Sequence, residues 1–398
     1  MQISQRANSI AASQSLAMAA RAKKMRAEGI DVISMSLGEP DMDTPEHIRR
    51  AAQEAIDNHW SHYGPVPGIP SLREAIAQSS NLQIFESSNP RIFESSNLQI
   101  IFHPEDVIVS IGAKMAIYNA IQTLINPGDE VIIPMPSWVS YTEMVKLSEG
   151  KVVPVQTTYE DNYLLTPGQL RAALTERTRM LILCSPNNPT GSVYSRAQLQ
   201  ALIDVLRDFP NVTILSDEIY RCLTYGCEAP GLASFPELQD RLVIVNGVSK
   251  AYAMTGYRIG WLLSKNRDFL SACTRLQGQQ LTCATMVAQK AAEAALTGPQ
   301  ECVADMRQTF AERRELICRL ASEVPGFRFR EPQGAFYLFP DVSAIGSGDE
   351  VAERLLDEAH VAVVSGSAFG CPECIRLSYA ISTEEIEEAM RRIKIALS

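Results

Sequence analysis

The sequence predicts an α/β protein: a mainly parallel sheet held between layers of helices, with a smaller α+β domain beside it. Three observations predict it. Short apolar, β-branched runs alternate with helix-like stretches through the middle of the chain. Those runs are apolar without a break, as strands covered on both faces are. Over about the last hundred residues the rhythm changes to a long helical stretch, two strand candidates and a charged closing helix.

The elements follow in order. Near the start, Ile10, Leu16, Ala20 and Met25 form one stripe of a helix that ends at Gly29. Arg6, Arg21, Lys23, Lys24 and Arg26 all precede the first acid, Glu28, which is also a transit-peptide composition. We read a helix of the mature protein and a cytoplasmic location. From Ser79 to Ile100 the unit SSNLQIFE is repeated almost twice more. Repeat folds use longer units and more copies, so we expect a duplicated insertion in a surface loop. The candidate strands are Val107–Ile111, Glu130–Pro134, Lys151–Val155, Met180–Cys184, Val212–Ser216 and Leu242–Val245. Helix-like stretches lie between them at Ala113–Ile125, after Trp138 and at Ser195–Arg207. Gly334–Phe339 and Ile375–Tyr379 are the late strand candidates. We place a large domain at residues 45–290 and a small one at residues 1–44 with 291–398.

Bulk properties narrow the function. A chain of 398 residues has room for two domains and a large core. A net charge of −10 argues against a general nucleic-acid surface. No apolar run approaches the roughly 18 residues of a membrane span. Nine cysteines without regular spacing fit a reducing compartment better than a disulfide framework.

Chemistry collects just beyond the strands, where ligands sit in parallel sheets. Gly112-Ala113-Lys114 opens a helix with small residues, so backbone N–H groups can approach a phosphate. "SPNNPTG", residues 185–191, is either a rigid polar turn or a stiff mount for the Asn188 amide. Asp217 ends a buried strand, where a carboxylate is expensive unless a cation meets it; a helix N-cap is the competing role. Tyr220 lies three residues further on. Lys250 follows the apolar run Leu242–Val245, and an amine there suits Schiff-base formation. Arg258 adds a planar cationic fork suited to phosphate. One ligand uses all four groups: pyridoxal 5'-phosphate, whose aldehyde takes a lysine, ring nitrogen a carboxylate, and phosphate a helix end with an arginine.

"GVSKAYAMTGYRIG", "SPNNPTG", "SDEIY", "YGPVPGIPSLREAI", "GEPDMDTP" and "IRLSYA" together resemble the class I pyridoxal-phosphate aminotransferases of fold type I. Within these the chain is most similar to the bacterial subgroup Ib aspartate aminotransferases. The resemblance runs over nearly the whole chain except the repeat. It implies a seven-stranded sheet, a homodimer with shared active sites, and transfer of the amino group of L-aspartate to 2-oxoglutarate in a ping-pong cycle.

It also implies roles. Lys250 would hold the cofactor and move a proton at the substrate α-carbon. Asp217 would keep the ring nitrogen protonated, Tyr220 would meet the ring oxygen, Asn188 that oxygen and the substrate, and Trp138 the ring face and the substrate. Gly112, Ala113, Lys114, Ser249 and Arg258 would seat the phosphate, with Tyr63 reaching the phosphate held by the other subunit. Arg376 would clamp the substrate α-carboxylate beside the Gly38 backbone. Lys114, Ser13 and Ser15 would meet the distal carboxylate. Some relatives carry a phosphate-binding serine where this chain has Gly247, which places more of that contact on Ser249 and Arg258. An aromatic or broad-range aminotransferase, or a C–S β-lyase releasing pyruvate without a keto acid, is the alternative on this scaffold; a non-catalytic sensor is set aside because the lysine is intact. Cys371-Pro-Glu-Cys374 and His59-x-x-His62 lack companion ligands, so no metal is expected.

Overall fold

The structure, a computed structural model, describes residues 1–11, 14–86 and 99–398. The chain begins with α1 (Gln5–Asn8), α2 (Gln14–Ala27), β1 (Ile33–Ser34), α3 (Glu46–Asp57) and α4 (Pro70–Glu86). The central part runs β2 (Val107–Ser110), α5 (Ala113–Leu124), β3 (Glu130–Met135), α6 (Ser140–Leu147), β4 (Lys151–Gln156), α7 (Pro167–Ala173) and β5 (Thr178–Cys184). It continues with α8 (Arg196–Leu206), β6 (Thr213–Asp217), β7 (Leu242–Gly247), β8 (Gly260–Leu263), α9 (Arg267–Gln280) and α10 (Met286–Thr297). The last part is α11 (Glu301–Ala321), β9 (Tyr337–Leu338), α12 (Gly348–Ala359), β10 (Val361–Ala362), β11 (Val364–Ser365), β12 (Ile375–Ser378) and α13 (Thr383–Leu397).

Seven strands make one sheet in the order β2-β8-β7-β6-β5-β3-β4. All neighbours are parallel except β8, which runs antiparallel to both β2 and β7. Successive strand residues feed opposite cores, which is why the runs read as unbroken apolar sequence. Ile132, Leu181, Ile214 and Ile244 join the core that includes Leu72 and Ile76 of α4. Their neighbours Ile133, Ile182, Leu215 and Val243 join the core that includes Ile117 and Ile121 of α5. A third core gathers Met35, Phe310, Phe336, Leu355, Leu377 and Ile386 around the sheet β11-β12-β9, and Tyr220 and Leu223 from beyond β6 enter it.

One hydrogen-bond network fixes the end of β2 that faces the site. Ser110 donates to the buried Gln277 side chain, which also receives a bond from Asn119 Nδ2 at 3.0 Å. Gln277 Nε2 donates in turn to the carbonyls of Val66 and Val109 at 2.8 and 2.9 Å. With Gln277 fully buried, this network ties α9, α5 and β2 into one rigid unit.

Four readings of the sequence change. The strand β8 was not anticipated: at four residues it is short, and Gly260 ends the motif that carries Lys250. The N-terminal stripe is Met18, Ala22 and Met25 rather than one containing Ala20, which is exposed; spacings of four and three put the former three on one face against Val32, Leu356 and Ala362. The first SSNLQIFE unit, residues 79–86, continues α4 instead of forming a loop, because no proline or glycine interrupts it before Pro90. Asn81 exchanges two hydrogen bonds with the Phe102 backbone at 2.9 and 3.0 Å, anchoring that helix to the returning chain. Residues 87–98 of the repeat lie outside the described residues. Finally, the strand expected over Gly334–Phe339 is confined to Tyr337–Leu338.

Candidate active site

The carboxyl ends of five strands of the large sheet open onto one cavity of about 470 Å³. Beyond β2 stand Ala113 and Lys114, beyond β3 Trp138, and beyond β5 Asn188. Asp217 and Tyr220 come from β6 and its turn, Ser249 and Lys250 from beyond β7. Arg258 precedes β8, Arg376 lies on β12, and Gly38 follows β1. The cavity therefore joins the large sheet to the third core.

Lys250 Nζ donates to the Gly38 carbonyl at 2.5 Å. Arg376, only 3% exposed, donates to Asn188 Oδ1 at 3.0 Å and to the Ser36 carbonyl at 2.7 Å. Its guanidinium also lies 4.4 Å from the Tyr337 ring centre and 4.9 Å from that of Phe369. No carboxylate pairs with it among the described residues, and its Nε has no hydrogen-bond partner. The Tyr220 hydroxyl pairs with that of Tyr337 at 2.8 Å. Lys114 Nζ sits 4.8 Å from the Trp138 ring centre, a cation–π arrangement.

Asp217 is 3% exposed. Its carboxylate accepts from the Tyr141 hydroxyl at 2.6 Å and from the Ile219 N–H at 3.2 Å. Register puts it between Cys184 of β5 and Val245 of β7, in the middle of the sheet. Burial pushes its carboxyl up to about 6, partly offset by the Tyr141 hydrogen bond. Burial lowers the Lys250 ammonium to about 8; the Glu39 charge opposes this, and the charges of Arg376 and Arg258 reinforce it. Desolvation, then the Arg258 charge, lowers Lys114 as well. Lys114, Lys250, Arg258 and Arg376 all line the cavity, a charge distribution suited to an anionic ligand.

At the other end, no side chain caps the N-terminus of α5. Its N-cap, Gly112, has φ +80°, and a Cβ there would lie 2.5 Å from the Arg258 guanidinium. Only glycine permits both that backbone and that approach. Arg258 itself has φ +56°, and it donates to the Thr255 carbonyl at 2.9 Å. Gly38 is similarly constrained, since a Cβ would lie 2.5 Å from the Tyr337 hydroxyl.

Some predicted residues stand elsewhere. Gly112 does not line the cavity but underlies Arg258. Tyr63 is 89% exposed and outside the cavity. Ser13 and the side chain of Ser15 lie outside the described residues. Cys371 and Cys374 are buried with their sulfurs 3.3 Å apart, and no group of three or more metal-ligating side chains occurs among the described residues. Sequence reasoning missed Tyr141 and Tyr337. Tyr141 sits three residues after Trp138, one helical turn, and that spacing was the available signal. Tyr337 lay inside a strand candidate and read as core.

The donor set fits pyridoxal phosphate: an amine, a buried carboxylate with no ion-pair partner among the described residues, an indole lining the cavity, and an uncapped helix end beside a guanidinium. The comparisons with known proteins agree. Residues 30–393 match the family described as aminotransferase class I and II. An aspartate aminotransferase of Bacillus sp. (strain YM-2) is 42% identical over 98% of each chain. An aspartate/prephenate aminotransferase of Nitrosomonas europaea is 39% identical over 100% of each. Among solved structures, the aspartate aminotransferase of Thermus thermophilus with maleate superposes with a TM-score of 0.92 at 36% identity, covering 100% of each chain. That of Rhizobium meliloti gives 0.92 at 37% identity, over 100% of this chain and 99% of the other. The chain belongs to the class I and II aminotransferases. It is a pyridoxal-phosphate-dependent enzyme of fold type I, acting on amino and keto acids.

An acid whose proton is held more tightly in the folded chain penalises folding once ionised. For Asp217 the rise from 3.8 to about 6 corresponds to about 3 kcal/mol at neutral pH. Asp217→Asn should therefore raise the urea midpoint of the cofactor-free protein at pH 7. The gain should shrink as pH falls from 6 toward 4 and vanish below about 3.8, where the carboxyl is protonated in both states. Urea titrations of both proteins across that range measure it.

Proposed function

We propose that the enzyme transfers the amino group of L-aspartate to 2-oxoglutarate, working as a cytoplasmic homodimer. The observation that carries this is the convergence in one cavity of Lys250, Asp217 and Arg376, with no ion-pair partner for any of them among the described residues.

Lys250 would hold the cofactor, Asp217 face its ring nitrogen, Tyr220 and Asn188 its ring oxygen, and Trp138 its ring face. The Gly112–Lys114 backbone, Ser249 and Arg258 would seat its phosphate. When bound, the cofactor supplies an electron sink for the bond broken at the substrate α-carbon. The protein's own part is positioning and proton transfer. Arg376 takes the α-carboxylate as a bidentate pair, beside the Gly38 backbone and held flat by Tyr337. Lys250 Nζ, lowered to about 8, exchanges its proton at neutral pH more readily than an ordinary lysine and serves as the base at the α-carbon. Burial of Asp217 and Arg376 excludes water from both charges, which strengthens their hold on ligand.

Lys114, above Trp138, meets the distal carboxylate of the donor, with Ser13 and Ser15 assigned to the same end. The curated relatives named for aspartate support this choice. Ile56, Trp60 and Tyr63, 63%, 36% and 89% exposed within eight positions, support a subunit contact in which Tyr63 reaches the second site. Nine free cysteines support a reducing compartment, and among the described residues no helix is long and apolar enough to cross a membrane. The separate cores support two domains, but the large one's core runs on through Ala291, Ala292 and Ala295 of α10, past the boundary expected at residue 290.

The test is the visible absorbance of the protein purified with its cofactor. Adding L-aspartate without keto acid should bleach the long-wavelength band, and 2-oxoglutarate should restore it. A band that ignores aspartate and responds to an aromatic amino acid would overturn the donor. Lys114→Ala should lower kcat/KM for aspartate by about a hundredfold, the value of one lost charged hydrogen bond, and for an aromatic donor far less. Equal losses would remove Lys114 from the distal pocket.

A further inference from the structure

Among the described residues, one side chain donates a hydrogen bond to Asp217: Tyr141. Tyr141 is 1% exposed, and its hydroxyl donates to Asp217 Oδ2 at 2.6 Å, the range of charge-assisted O–H···O⁻ bonds. The same side chain meets Trp138 edge-on, ring centres 5.3 Å apart and planes at 89°. Tyr141 lies in the first turn of α6, so one helix start carries both the indole and the donor to the carboxylate. We infer that Tyr141 is a positioning residue that keeps the Asp217 carboxylate ionised and aimed into the cavity while fixing the Trp138 ring.

The chemistry runs in one direction. A phenol that donates to a carboxylate stabilises its charged form, against the burial that disfavours it. Tyr141 keeps its own proton, because burial and the Asp217 charge hold its phenol well above the ordinary tyrosine range. It acts as a donor throughout and not as a base. The other titratable groups facing Asp217 are Cys184 from β5, Glu218 from the turn after β6, and Lys250 from beyond β7. Cys184 is held as the neutral thiol, pushed up by burial. Glu218 is engaged elsewhere, accepting from Ser216 Oγ, the Leu232 N–H and Arg221. Lys250 favours the charged carboxylate, but its Nζ is bonded to the Gly38 carbonyl. Tyr141 is therefore the side chain that neutralises none of the Asp217 charge yet lowers its cost, which leaves that charge for a cationic ring nitrogen.

The inference rests on the proposed function for what Asp217 faces, so its test begins without cofactor. Infrared difference spectra of the cofactor-free protein, with carboxyl-labelled aspartate and Asp217→Asn as the reference, read the midpoint of this one group. Tyr141→Phe, which keeps the ring, should move that midpoint up from about 6 by about one pH unit. The same change should weaken pyridoxal phosphate binding about tenfold and raise the acid limb of the kcat profile. In the Asp217→Asn background it should change cofactor affinity by less than about twofold, since no charge remains to support. A midpoint that does not move, or an equal loss in both backgrounds, would overturn the inference and reduce Tyr141 to packing. Tyr141→Leu enters the same cycle should the phenylalanine variant not accumulate. Loss of the proposed cofactor role would show instead as wild-type protein that binds no pyridoxal phosphate, with the infrared shift intact.

Discussion

A carboxylate buried in the middle of a sheet, with no ion-pair partner among the described residues, is the constraint around which this molecule is arranged. Asp217 ends β6 between two parallel strands, 3% exposed, and among the described residues its oxygens accept from neutral donors alone. An isolated buried charge of this kind costs several kcal/mol, which folding alone gives no reason to tolerate. Arg376 poses the same problem with the opposite sign, bonded among the described residues to an amide oxygen and a carbonyl oxygen alone. The two charges share a cavity but do not pair with each other. That separation keeps both available: stability is surrendered at the site and recovered when ligand arrives.

The scaffold makes the separation possible. Parallel strands bring their carboxyl ends to one edge, so residues far apart in sequence share one cavity without long loops. Gln277, Asn119 and Ser110 stiffen the β2 end, where Gly112 lets Arg258 close on the start of α5. On the opposite side the third core supplies Arg376, Tyr337 and the carbonyls of Ser36 and Gly38. Tyr337 ties these together, stacking on Arg376, pairing with Tyr220 and packing against Gly38. One buried phenol thus couples Arg376 on β12 to Tyr220 beyond β6.

What could be read from sequence follows the energetics. Lys250, Asp217 and Arg258 stand out because charge at a buried strand end is costly, so its presence demands a reason. The alternating βα rhythm was legible for the same kind of reason, as unbroken apolar runs have few explanations. Tyr141 and Tyr337 were not legible, because a tyrosine in an apolar stretch is also ordinary core, and both are that as well. The strand β8 was missed since antiparallel insertion leaves no mark in four residues. Residues 79–86 read as loop by their repetition, although nothing in them breaks a helix and α4 runs through them. Tyr63, Ser13 and Ser15 rested on family resemblance alone, and within one chain Tyr63 stands in solvent.

The central claim is that the charge of Asp217 is kept for a ligand and not for the fold. The most direct test is the unfolding temperature of wild type and Asp217→Asn at pH 7.5, each measured without and with saturating pyridoxal phosphate. The account predicts a crossing: the variant unfolds higher without cofactor, and the wild type unfolds higher with it, because only the charged carboxylate gains from the bound ring. An order that stays the same in both conditions would contradict it, and would make Asp217 a structural acid.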